Sequence, residues 1–326
     1  MIRTMPAESR CPEVVLFPRR DGKISIYIGN EKGTIHLFSK ILSHIPQLSI
    51  ISSLRSDSIS LPTRIMKVLQ LCKKFPYPLR DGESIAVTYL SKAMDALGAD
   101  ITLLAMNTRK HYTCLGELPD HFDHYRDIHC VAKDNRLRWT EVLINLFSSN
   151  SLHIERYVDE EYKEKLRDIL SENSFDIIQL ETLYMAPYIP VIRSLSDAAI
   201  VMRAHNVEHE IWERLAENSR FWPKKWYLRH LAGKLKQYEQ EVLDEYDFLV
   251  AITEKDLEQF RQLGYRKEAT VAPIGIEMED YEIKELPSGR QSSISFIGSL
   301  DWRPNREGLD WFVEEVWREL VKMHPK

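Results

Sequence analysis

From about residue 66 onward, short apolar runs alternate with stretches whose apolar positions recur every three to four residues. The runs at 67–72, 101–105, 127–132, 176–180, 198–202, 248–252 and 270–272 read as strands; the first is KVLQLC and the fourth DIIQL. Near-continuous apolar runs of this length suit strands covered on both faces. Between them, residues 85–97 and 162–170 read as helices, with Ser84 as an N-cap for the first. Residues 224–246 read as a long helix with Leu231, Leu235, Tyr238, Val242 and Tyr246 on one face. Thr253 followed by Asp256 is a capping-box start for another helix. Strands alternating with helices predict an α/β fold with a largely parallel, Rossmann-like sheet.

The two ends read differently. Residues 1–65 show no helical period; 23–28 and 35–38 read as strands around the turn 29–33, and 48–54 is a further apolar run. They form an expected N-terminal extension without catalytic residues. Residues 66–275 make the first domain. The polar stretch up to residue 292, with Pro287, Ser288 and Gly289, reads as a linker running over 276–292. Residues 293–297 then read as a strand, Gly298 as a turn, and a helix follows with Leu309, Phe312, Val313, Val316, Trp317 and Leu320 on one face. That is the first βα unit of a second Rossmann-like domain, 293–326. One such unit cannot close a core alone, so this domain is expected to be incomplete within these residues.

The candidate chemistry gathers where strand 198–202 hands over to a helix. There the chain turns polar at Arg203, His205 and Asn206, and Glu181 ends the preceding strand. In open α/β sheets, ligands bind at the carboxyl ends of strands. A cation, an imidazole and an amide converge there, and the imidazole is the group that titrates near neutral pH. Gly82 closes the proline-broken loop after the first strand, either as an ordinary turn glycine or to admit a ligand close to the backbone. His205, Glu208 and His209 also spell H-x-x-E-H, the inverted zinc-protease pattern. That alternative, a zinc-dependent hydrolase, needs both histidines on one helix face.

Composition narrows the classes. The 326 residues carry a net charge of −5 with pI about 6.2, which argues against general nucleic-acid binding. The four cysteines, Cys11, Cys72, Cys114 and Cys130, are scattered and form no C-x-x-C pair. No apolar run approaches the ~20 residues of a membrane span, and no secretory leader is visible. A cytoplasmic enzyme is the expectation. Residues 224–236 are basic, with Trp222 and Trp226 beside them. Such a helix is either a solvated face or a peripheral contact with an anionic membrane.

Five segments resemble one family. FPYPLRDGES at 75–84, RAHNVEHEIW at 203–212, VAIT at 250–253, APIGIE at 272–277 and FIGSLDWRPNREGLDWF at 296–312 resemble the family 4 glycosyltransferases of the GT-B fold. Within that family they look most like bacterial sugar transferases of polysaccharide assembly. The resemblance implies two Rossmann-like domains, an acceptor side first and a nucleotide-sugar side second, with retention of configuration and no metal or other cofactor. It implies that His205 contacts the transferred sugar, and that Gly82 lies near the donor phosphates or acceptor. It implies that Gly298 opens a phosphate-binding turn. Many relatives carry arginine where this chain has Ser299, and Arg303 or Arg306 would substitute. The relatives' glutamate pair for sugar and ribose is not among these residues, so a non-catalytic binding remnant stays open as a further reading.

Overall fold

The computed structural model describes residues 14–18, 24–28, 65–109, 112–120, 122–134, 148, 150–276, 294–296, 298, 300 and 303–323. The extension contributes a two-stranded antiparallel ribbon, β1 (Val14–Pro18) and β2 (Ile24–Ile28). β2 matches the expected strand and pairs with the segment before it. The runs 35–38 and 48–54 lie outside the described residues.

The body is a seven-stranded sheet of β3 (Lys67–Cys72), β4 (Asp100–Thr108), β5 (Asp127–Lys133), β6 (Ile177–Glu181), β7 (Ala199–Ala204), β8 (Phe248–Ala251) and β9 (Glu268–Val271). All neighbours pair in parallel, in the order β5-β4-β3-β6-β7-β8-β9. The order runs outward from β3 one way and from β6 the other. The crevice between β3 and β6 is therefore the topological switch point of a doubly wound sheet.

Two cores flank the sheet, because successive strand side chains alternate between faces. On one face Leu69, Leu71, Leu104, Ile178, Leu180, Ile200, Met202 and Leu249 are buried. They meet α3 (Glu160–Glu172), α4 (Ile189–Leu195), α6 (Trp222–Glu241) and α7 (Glu254–Leu263) through Leu166, Ile192, Leu235 and Phe260. The short α2 (Leu152–Glu155) adds Ile154. On the other face Val68, Cys72, Leu103, Ile177, Val201 and Val250 meet Val87, Leu90 and Met94 of α1 (Gly82–Ala96). Between β7 and α6 runs α5 (Glu208–Glu217).

The helix ends differ from expectation in instructive ways. α1 begins at Gly82, with Asp81 as its N-cap: Asp81 Oδ1 accepts from the Ser84 N–H at 3.0 Å. Ser84 was expected in that role, but it sits inside the first turn and is buried. A carboxylate one turn earlier displaces it because an anion also suits the positive end of the helix. α6 ends at Glu241, short of the expected 246, although Val242 and Tyr246 still face the core from the turn that follows. Thr253 caps α7 as its spacing with Asp256 implies, accepting from the Asp256 N–H at 3.1 Å.

In the carboxy-terminal segment, residues 294–296 form no ladder, where a strand was expected. Ile294 and Phe296 are exposed, and a strand needs a neighbour to satisfy its backbone groups. The helical half of the unit is present as α8 (Arg303–Trp311), a π-turn over Phe312–Trp317 and α9 (Arg318–Met323).

Asp81→Ala should destabilise the protein by about 1 kcal/mol in urea unfolding, the usual cost of a lost N-cap. Ser84→Ala should cost clearly less through the helix start. The reverse ranking would restore Ser84 as the cap.

Candidate functional site

Register builds the site. On the α1 face, Gln70 of β3 lies opposite Gln179 of β6, and Glu181 of β6 lies opposite Arg203 of β7. These polar residues sit in apolar strands, near their carboxyl ends. All are buried: Gln70 and Glu181 are fully covered, and Arg203 is 1% exposed.

Glu181 is the hub. Its Oε1 accepts from Gln70 Nε2 at 2.7 Å and from Gln179 Nε2. Its Oε2 lies 3.3 Å from Arg203 Nη1 and 2.8 Å from His205 Nε2. Arg203 Nη1 also donates to the Ala86 carbonyl of α1 at 3.1 Å, tying that helix to β7. Behind Gln70, Ser91 and Tyr125 donate to its carbonyl oxygen, each at 2.9 Å. Burial alone would raise the Glu181 carboxyl, but the Arg203 charge and the His205 hydrogen bond outweigh it and hold the group at about 2. Glu181 is therefore an anion that only accepts. The hydrogen of that contact sits on His205 Nε2, and in the neutral ring Nδ1 is then the nitrogen with an acceptor lone pair.

A second cluster stands beside the first. Lys73 follows β3 and lies 3.1 Å from Glu83 and 4.4 Å from the Tyr184 ring centroid. Lys74 pairs with Asp81 at 2.6 Å. Burial would lower Lys73, yet the Glu83 and Glu208 charges override it and push its ammonium well above the ordinary range. Burial would raise Glu83, but Lys73, Lys74 and His205 hold it below the usual carboxylate value. Glu208 goes the other way: burial raises it, despite Lys73 and a 2.9 Å hydrogen bond from Tyr184.

The starts of α1 and α5, which follow β3 and β7, already hold carboxylates of the chain itself. Asp81 caps α1. Glu239, fully buried near the end of α6, accepts from the Glu208 N–H at 3.2 Å and the His209 N–H at 3.5 Å, and pairs with His209 Nδ1 at 2.6 Å. The helix N-terminus after β7, which could have received an anionic ligand, is filled from within.

Thr182 directly follows Glu181 with φ of +82°, a left-handed conformation that is strained for a β-branched residue. Its N–H donates to the Arg203 carbonyl at 3.0 Å. Strain of this kind concentrates at functional sites.

The sequence-predicted residues fall into three groups. Glu181, Arg203 and His205 are in direct contact. Gly82 and Asn206 lie exposed at the carboxyl edge, and a Cβ on Gly82 would meet nothing within 4 Å. Gly298 and Arg303 belong to the carboxy-terminal segment; a Cβ at Gly298 would come within 2.9 Å of Asn305 Nδ2. Gln70, Gln179, Lys73 and Glu83 were missed. The visible trace of the first two is one polar letter at matching positions in two apolar strands.

The H-x-x-E-H reading does not assemble. α5 starts at Glu208, so His205 is in the turn before the helix, and each histidine faces a different glutamate. Among the described residues no group of three or more His, Cys, Asp or Glu could hold a metal ion.

No family model matches the chain, and no curated protein matches it in sequence. Solved structures with a similar arrangement include sucrose-phosphate synthase from Thermosynechococcus elongatus, at 13% identity over 65% of this chain and 49% of that chain, with a TM-score of 0.41. Phytolacca americana UGT2 complexed with UDP-2fluoro-glucose and pterostilbene is 12% identical over 65% of this chain and 54% of that one, at 0.38. Anabaena HepE in complex with UDP and glucose is 13% identical over 67% and 47%, at 0.36. The chain spans about half the length of these structures. Likeness at this level does not by itself establish an activity.

Glu181→Gln removes the charge that pairs with buried Arg203, and should cost about 3 kcal/mol or more of stability at neutral pH. A carboxyl lowered from 4.5 to about 2 stabilises the fold fully above pH 4.5 and loses that contribution as pH falls toward 2. Wild-type urea midpoints should therefore drop across this window more steeply than those of the variant. Parallel slopes would contradict the account.

Proposed function

We propose that these residues form the acceptor-side part of a glycosyltransferase of the GT-B fold. It moves a sugar from a nucleotide-sugar donor to a glycan or lipid-linked acceptor, on the cytoplasmic side, in polysaccharide assembly. The observation that carries this reading is the balance of charge at the switch point. Lys73, Lys74 and Arg203 pair with Glu83, Asp81 and Glu181, Glu208 accepts from Tyr184, and the two nearby helix starts are capped by carboxylates of the chain. A crevice so neutralised suits a neutral, hydroxyl-rich ligand better than a phosphate. The motifs RAHNVEHEIW and FPYPLRDGES, which supply most of these groups, are those that resemble the family 4 glycosyltransferases.

On this reading His205 binds and orients a sugar hydroxyl rather than attacking as a nucleophile. The Glu181 carboxylate fixes its ring and tautomer, and Nδ1 accepts from the hydroxyl. Gly82 and Asn206 border the acceptor. Gly298 and Arg303 lie on the donor side, where backbone N–H groups and arginines would stabilise the departing diphosphate without a metal. Transfer retains anomeric configuration. The similar solved structures named as UGT2 and HepE hold UDP with a sugar or sugar analogue, which is compatible with a nucleotide-sugar donor here.

The test is release of nucleoside diphosphate from a panel of nucleotide-sugars. These residues alone, without the relatives' glutamate pair, are expected to be inactive; in protein that also carries a complete donor-side domain we expect one donor to be consumed, and His205→Ala to lower kcat about a hundredfold, within the range typical of a positioned imidazole. Its melting curve should stay that of the wild type. Near-normal turnover in His205→Ala, or no turnover with any donor, would overturn the reading.

A further inference from the structure

α5 and α6 form an antiparallel hairpin. Glu239, near the end of α6, holds the first two N–H groups of α5. Its closed end, residues 218–221, therefore lies roughly 15 Å from that anchor, the length of the ten-residue α5. The later part of α6 is buried at Leu228, Leu231, Ala232, Leu235 and Glu239, and Leu235 joins the core of the body. The helix cannot lay its whole length on a flat surface, as a free amphipathic helix would.

The tip is different. Phe221 is 66% exposed, Trp222 75% and Trp226 57%. Trp222 and Trp226 are four residues apart and so share a face. Three large exposed aromatics in one place are unusual for a surface that meets only water. Around them the segment 219–238 carries Arg220, Lys224, Lys225, Arg229, Lys234 and Lys236, and no aspartate or glutamate, in a chain of net charge −5. Of these, Arg220, Lys224 and Arg229 are exposed.

We infer that the tip of the α5–α6 hairpin docks this protein on an anionic lipid surface, with Phe221, Trp222 and Trp226 seated among the headgroups and Arg220, Lys224 and Arg229 against their phosphates. Tryptophan favours that depth because its ring is apolar and its N–H polar. Cations within a Debye length of an anionic leaflet each add attraction. Aromatic insertion and basic charge are two separate anchoring terms, which together give stable yet reversible attachment. A second copy of the chain fits the patch poorly, since it would bring the cations of two tips together. Among the described residues no helix is long and apolar enough to cross a membrane, so attachment through this tip would be peripheral. The inference stands independently of the transferase reading.

Sedimentation with phosphatidylcholine vesicles, with and without phosphatidylglycerol, tests it. The protein should pellet with the anionic vesicles and stay in solution with the neutral ones. Trp222→Ala/Trp226→Ala and, separately, Lys224→Gln/Arg229→Gln should each lower the partition coefficient on the order of tenfold, as expected for two lost interfacial contacts. Melting curves should match the wild type, because these side chains are exposed. The inference fails if wild type ignores anionic vesicles, or if the tryptophan variant binds them equally well. It also fails if duplex DNA retains the protein or it self-associates, and the tryptophan variant loses that property instead of vesicle binding.

Discussion

The buried pair of Arg203 and Glu181 is the constraint around which the switch point is arranged. A guanidinium 1% exposed must be neutralised and hydrogen-bonded, or the sheet could not enclose it. Parallel register places Glu181 beside it on the neighbouring strand, and α1 supplies the Ala86 carbonyl from above. Remove the carboxylate and three things lose their support together: the Arg203 charge, the amides of Gln70 and Gln179, and the orientation of His205. Among the described residues Arg203 Nε has no hydrogen-bond partner, so the network leans on Glu181 as the acceptor its other donors share, which makes Glu181 its most sensitive point.

The rest of the crevice follows from how charges are spent around that pair. α1 and α5 begin beside that pair, and an open α/β sheet commonly offers such starts to phosphate. Here Asp81 and Glu239 occupy both. Lys73 and Lys74 are likewise committed to Glu83 and Asp81. The outcome is a crevice rich in hydrogen-bonding groups and poor in unmatched charge. Directional contacts to hydroxyls are what such a surface can offer, and Thr182 holds its strained φ beside the hub.

Much of the fold was legible in the chain, because long apolar runs report burial on both faces. Strand 67–72 was placed to the residue, and the others to within a few residues at their ends. Glu181, Arg203 and His205 were visible as polar residues at strand ends, and the structure does join them. Other features were not legible, for reasons that are long-range. Asp81 outcompetes Ser84 through its charge. Gln70 and Gln179 hide as single letters in apolar strands, and only register makes them neighbours. Glu239 reads as an ordinary acidic residue of a long helix, yet it caps a helix that begins 31 positions earlier. The strand expected at 293–297 met the hydrophobic pattern, but its described residues 294–296 form no ladder.

The central claim is that an ionised Glu181 fixes the ring of His205 for ligand contact. Long-range proton–nitrogen correlation on histidine-labelled protein, above neutral pH, reads that directly. The account predicts that the neutral ring of wild-type His205 carries its hydrogen on Nε2, with a loss of that preference in Glu181→Gln. A ring protonated at Nδ1 in the wild type, or one whose tautomer ignores the substitution, would contradict it.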